Sequence, residues 1–121
     1  MPRVLTKDIF YHYGDSLSGI GVQWQQASGT PHDLTGYTAE LEVKDGFGGT
    51  TLLSLTDGDG LTIIGEQGTV LLDATSAKML GGTLVEGSGD HVYDLEVRNG
   101  TATVRTLLKG RFVIDQQVTQ P

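Results

Sequence analysis

The dipeptide Asn99-Gly100 constrains this chain more than any other feature. It separates two alternating runs, Gly89 to Arg98 and Thr101 to Ile114. Asn-Gly in that setting is the strongest short-range signal for a β-hairpin, because a type I′ turn needs φ > 0 at both central residues. A two-residue loop also fixes the register. It predicts Arg98 opposite Thr101, Val97 opposite Ala102, Glu96 opposite Thr103, Leu95 opposite Val104 and Asp94 opposite Arg105. Side chains alternate along a strand, so Tyr93, Leu95, Val97, Ala102 and Val104 share one face while the charges take the other. A lone hairpin is marginal in water, so other parts of the chain must cover its apolar face.

The upstream sequence supplies that cover as short strands. Asp8 to Tyr13 reads as a first strand, and Met1 to Lys7 before it as a flexible arm, with an edge segment over Met1 to Thr6 as the alternative. Ile20, Val22 and Trp24 alternate with polar positions, and Tyr37, Ala39, Leu41 and Val43 alternate with Thr38, Glu40, Glu42 and Lys44. Leu52 to Leu55, Leu61 to Ile64 and Val70 to Leu72 are three further strands, separated by Asp57-Gly58-Asp59-Gly60 and by Gly65 to Gly68. Thr75 can cap one turn of helix through Met79 and Leu80, with Gly81 ending it. A last strand holding Phe112 and Ile114 follows Gly110. About eight short strands with turn residues between them fit a sandwich or a small barrel in a single domain, residues 1–121. The shared phase predicts a core of Val22, Trp24, Tyr37, Ala39, Leu41, Val43, Tyr93, Leu95, Val97, Val104, Phe112 and Ile114. Leu34 is expected to plug one end, behind a turn in which Asp33 bonds the backbone two residues on.

Composition excludes several functions. The chain has no cysteine, hence no disulfides and no thiolate chemistry. A net charge of −7 argues against nucleic-acid or anionic-membrane partners, which call for a basic patch. No apolar run approaches a membrane span, and the first residues do not read as a signal peptide. Asp57-Gly58-Asp59-Gly60 suggests calcium, but an EF-hand loop from Asp57 needs an oxygen ligand at Leu61 and a glutamate at Gly68. His12, His32 and His91 lack zinc-site spacing and read as solvated or capping residues. No P-loop, dinucleotide fingerprint or serine-hydrolase elbow is present. Glu40 and Glu42 share a strand face with Lys44 and read as solvated surface rather than a glycosidase pair. No catalytic, cofactor-binding or metal-binding residue emerges, and no enzyme is expected.

Three phrases occur in an order seen elsewhere. Gly14-Asp15-Ser16-Leu17 leads into the Trp24 strand; Pro31-His32-Asp33-Leu34-Thr35-Gly36-Tyr37-Thr38-Ala39 follows; then comes Tyr93-Asp94-Leu95-Glu96-Val97, with Leu107-Leu108-Lys109-Gly110 and Val118-Thr119. In this the chain resembles the immunoglobulin-like β-sandwich modules of tailed-phage virion proteins, similar to the N-terminal domain of baseplate upper proteins. The resemblance implies an immunoglobulin-like sandwich of about eight strands with one short helical turn. It also implies a structural component of the virion, in tail, baseplate or neck, present in multiple copies beside other virion proteins and without a cofactor. The linker between Leu80 and Tyr93 is longer than in that family, and a fibre-anchoring role is not expected. Ile9, Phe10, Tyr11 and Tyr13 are the candidate contacts, because their strand carries neither the lysine nor the proline that guards free edges. The alternative is a carbohydrate- or receptor-binding module with Phe47 and Tyr37 as contacts.

Overall fold

The computed structural model describes residues 5–12, 14–26, 28–45, 49–81, 89–100 and 103–115, with backbone alone at 5, 89, 90, 103, 104 and 115. Among these residues the strands are β1 (Leu5–Thr6), β2 (Ile9–His12), β3 (Leu17–Gln23), β4 (Thr38–Lys44), β5 (Thr51–Asp57), β6 (Gly60–Ile64), β7 (Thr69–Ala74), β8 (Gly89–Asn99) and β9 (Thr103–Asp115). One helix, α1 (Ser76–Leu80), lies between β7 and β8. The strands form one sheet in the order β1-β9-β8-β4-β5-β6-β7-β3, with β2 also paired to β9. β1 and β2 lie end to end along β9 as two pieces of one sheet margin, so the sheet is eight positions wide.

The fold is all-β, but it is not the two-sheet immunoglobulin-like sandwich that the sequence suggested. The single sheet curls until its two ends, β1–β2 and β3, face each other across a groove, giving a nearly closed barrel. What joins the halves is the corner at Asp57 to Gly60. An ordinary Asp-Gly hairpin would pair β5 and β6 antiparallel. Here the chain loops once, Gly58 N–H donating to the Leu61 carbonyl and Asp59 N–H to that of Thr56, both at 2.8 Å. It then resumes its direction, pairing Thr56 with Gly60 and Asp57 with Leu61 in parallel. Two residue pairs thus carry the sheet from one half of the wall to the other.

Alternation places the core where it was expected along β4 and β8. Ala39, Leu41, Val43, Tyr93, Leu95 and Val97 are buried, as are Val22, Trp24, Phe112 and Ile114. Tyr37 is only partly buried, and the Val104 side chain lies outside the described residues. Leu34 is fully buried, and Thr35 N–H donates to the Asp33 carboxylate at 2.8 Å, as the turn chemistry required. Thr75 caps α1 by accepting from Lys78 N–H at 3.1 Å. Gly81 ends the helix with an ordinary helical φ of −75°, so its left-handed freedom is not used there. Met79 tucks beneath the sheet at 1% exposure. Ile9, Tyr11, Leu17, Leu53, Leu55, Leu61, Val70, Leu72, Ala74, Leu107 and Leu108 complete the core.

The central hairpin forms with a different register. Asn99 pairs with Thr103, so three residues, 100–102, separate the strands; Thr101 and Ala102 lie outside the described residues. Gly100 has φ +58°, but among the described residues no non-glycine has positive φ. Asn99 therefore remains a strand residue, and the type I′ requirement fails. Val97 consequently faces Arg105, and a bulge follows in which Glu96 pairs with Thr106 and Leu95 with Leu108. Leu107 is the inserted residue, and both it and Leu108 are buried. Gly110 does not end a strand either. β9 runs straight through it, because the chain crosses there between β1 and β2, and a Cβ on Gly110 would collide with the Lys7 carbonyl oxygen.

Candidate functional site

Among the described residues, the β1–β2 margin pairs with β9 alone and β3 pairs with β7 alone, so these are the two ends of the sheet. At the first end, Leu5 and Thr6 pair with Leu108 and Lys109, and Ile9 to His12 pair with Phe112 to Asp115, all in parallel. Residues 5–7, read from sequence as part of a flexible arm or an edge segment, are thus held on β9 at the edge of the sheet; residues 1–4 lie outside the described residues. Lys7 N–H donates to the Lys109 carbonyl at 2.9 Å. Asp8 takes the Arg111 guanidinium at 2.9 and 3.2 Å and the Arg111 backbone N–H at 3.2 Å. Those bonds hold the Asp8 carboxyl below its ordinary pKa. The Tyr93 hydroxyl donates to the Lys7 carbonyl at 2.6 Å, and burial, helped by the Asp8 charge, pushes its pKa up to about 12.

Alternation decides what the candidate contacts can touch. Ile9 and Tyr11 turn inward and are 2% exposed, Tyr11 packing its ring 5.8 Å from that of Phe112. Phe10 turns outward and is 63% exposed. Tyr13 lies outside the described residues. Of the four, therefore, the structure offers Phe10 to a partner.

At the second end, β3 pairs with β7 alone among the described residues, and its register slips between Leu17 and Ile20. Its other margin forms one wall of a groove of about 540 Å³. Gly19 to Val22 make that wall, Thr6 and Lys7 make the opposite wall, and Leu108 contributes to the lining between them. A second hollow of about 310 Å³ continues past Phe10, His12 and Ile20. Sequence reasoning missed the β3 margin. The lack of lysine and proline in Leu17 to Gln23 could not have found it, since the interior strands β5, β6 and β7 lack both as well.

The residues considered for sugar binding are arranged otherwise. The His32 ring stacks on Trp24 at 3.9 Å, Tyr37 meets the indole edge-on at 6.3 Å, and the Arg105 guanidinium lies 5.4 Å from its centre. The indole is 9% exposed and presents no open stacking platform. Tyr37 is engaged with His32 Nε2 at 3.2 Å, and Phe47 lies outside the described residues. His32 is thus a packing residue rather than a solvated one. His91 is also buried, its Nδ1 3.5 Å from the Asp45 carboxylate, while His12 is exposed.

The carboxylates considered for calcium have protein partners: Asp57 accepts from Ala39 N–H at 2.9 Å and Asp59 pairs with Lys78 at 2.8 Å. Glu40 and Glu42 occupy the outer face of β4, where their register partners are Glu96 and Asp94. Ser54 and Thr51 hydroxyls reach these glutamates at 3.4 Å, and Arg98 reaches Glu96 at 3.7 Å. Among the described residues no three histidines or acidic residues are grouped to hold a metal. No protein-family model matches this chain, and no curated protein matches it significantly. The likeness to phage modules rests on the three sequence phrases alone.

Proposed function

We propose that this protein is a non-catalytic structural component of a tailed-phage virion, in the tail, baseplate or neck. It assembles in multiple copies with neighbouring virion subunits through the ends of its sheet. The observation that carries the assembly reading is a sheet that stops short of closing. Among the described residues β3 pairs on one side alone and carries no lysine or proline, and its other margin faces a groove beside an outward Phe10. Unpaired strand margins are templates for another chain. The order of the three phrases supplies the phage setting. The net charge of −7 keeps unassembled copies apart. Quantitative mass spectrometry of purified particles tests this. Fixed stoichiometry supports it; abundance in infected cells with absence from particles overturns it.

A further inference from the structure

We infer that the tip of the central hairpin is a site of spontaneous covalent modification, at which Asn99 of the folded protein deamidates through the backbone nitrogen of Gly100. Asn99 is the only asparagine in the chain, and glycine follows it. The Gly100 amide nitrogen attacks Asn99 Cγ. The new N–Cγ bond closes a five-membered imide, the Cγ–Nδ2 bond breaks, and ammonia leaves with the proton from the Gly100 amide. Water then opens the imide. Attack at Cγ gives aspartate; attack at the backbone carbonyl gives isoaspartate, whose main chain runs through Cβ and Cγ and is one carbon longer.

The structure places this pair where the attack can occur. Both residues are exposed, and a Cβ on Gly100 would meet nothing within 4 Å, so the nitrogen is uncrowded. Among the described residues the Asn99 carboxamide has no hydrogen-bond partner. An extended Asn99 holds its carboxamide away from the next nitrogen, so ψ must turn, which opens the Asn99–Thr103 pair. That pair is the last rung described in the β8–β9 ladder, and rungs at a frayed end open at little cost in free energy.

The Asp-Gly pairs of the β5–β6 corner could form the same imide by losing water, but they are tied. Asp57 accepts from Ala39 N–H at 2.9 Å, and Gly58 N–H, which would have to attack, donates to the Leu61 carbonyl at 2.8 Å. Asp59 is paired with Lys78 at 2.8 Å, and Gly60 is already in β6 opposite Thr56. The structure therefore separates one reactive pair from two protected ones. Its product adds one negative charge to the net −7, and in the isoaspartate form it lengthens the backbone at the turn that joins β8 to β9.

Peptide mass mapping of the purified protein, aged at mildly alkaline pH both folded and unfolded in urea, tests this. Deamidation of Asn99 in the folded protein is expected within about tenfold of its rate in the unfolded chain, with isoaspartate among the products. Folded Asn99 that stays intact while the unfolded chain reacts would show that the ladder holds it out of reach, and would overturn the inference. In the folded protein Asp57-Gly58 and Asp59-Gly60 are expected to keep their normal linkage; isomerisation there as fast as at Asn99 would overturn the selectivity. Gly100→Ala, with circular dichroism run beside it, is expected to slow the reaction about tenfold or more, since it crowds the attacking nitrogen and restricts the backbone. An unchanged rate in that variant would remove Gly100 from the chemistry.

Discussion

The two ends of the sheet solve the same problem differently. The β1–β2 end is fastened: Asp8 grips Arg111, Tyr93 holds the Lys7 carbonyl, and Gly110 lets the chain cross at close range. The β3 end keeps its ladder to β7 and a register slip, and among the described residues no strand pairs with its outer margin. The first is tied by an exposed ion pair and by the part-buried Tyr93 bond, the second by its ladder to β7 and by apolar contacts on one side. A sheet that closed for stability alone would fasten both. The contrast is between a margin tied by named side chains and one held by its ladder alone.

The largest expected effect tests the fastened end. Phe112 is fully buried, with the Tyr11 and Tyr93 rings at 5.8 and 6.2 Å. Phe112→Ala is expected to cost about 3–5 kcal/mol in urea unfolding. Ile20→Ala, at the half-buried β3 margin, is expected to cost below about 2 kcal/mol. Equal costs would erase the distinction between the ends.

Two glycines sharpen it. Gly110→Ala forces a methyl group against the Lys7 backbone, which cannot yield without moving β1–β2, and is expected to cost about 1–3 kcal/mol. At Gly21 a methyl group meets the tip of the Leu71 side chain at 2.8 Å, which can rotate away. Gly21→Ala is expected to cost under about 1 kcal/mol, read as a smaller melting shift.

The fastening is also pH-dependent. Tyr93 has its pKa raised in the folded protein, from 10.0 to about 12. Its contribution is complete below pH 10 and is lost as pH rises towards 12, since folding then competes with deprotonation. Asp8 is shifted the other way, from 3.8 downwards by Arg111, so its contribution holds above that value and fades as pH falls through the lower folded one. Tyr93→Phe should flatten the alkaline limb of a stability profile and leave the acid limb in place. An unchanged alkaline limb would remove Tyr93 from the fastening.

The smallest expected effect lies far from both ends. Glu40 faces Glu96 and Glu42 faces Asp94 across β4 and β8, and like charges directly opposite destabilise a sheet. Glu96→Lys is expected to stabilise by about 0.2–1 kcal/mol at low salt, and less as salt rises. A loss of stability would show that the Arg98–Glu96 contact outweighs the repulsion.

What the sequence made legible was local. Period-2 alternation marked β4 and the inward residues of β8, Asp33 and Gly36 marked a turn, and Thr75 marked a cap. Each depends on a few adjacent residues. The register was hidden because Asn-Gly also serves a longer loop in which Asn99 stays a strand residue. The bulge at Leu107 left only a leucine doublet. Gly110 looked like a strand end because a glycine needed for close passage and one needed for a bend read alike. Barrel or sandwich turned on two parallel pairs at Asp57 and Leu61, which have no signature in the chain. At the candidate site, Phe10 followed from the unguarded first strand, but Ile9 and Tyr11 did not, because the side chains of one strand divide between core and surface.

The parallel pairing of the first strands with the last has a mechanical consequence. β1 and β2 run beside β9 in the same direction, so the chain enters at one end of this ladder and leaves at the other. Tension applied through the residues before Leu5 and after Asp115 would therefore drag the strands lengthwise past one another. The bonds between them would share the load and have to yield together rather than open one by one. The Asp8–Arg111 clasp, placed between the two pieces of that margin, would act as a stop against sliding.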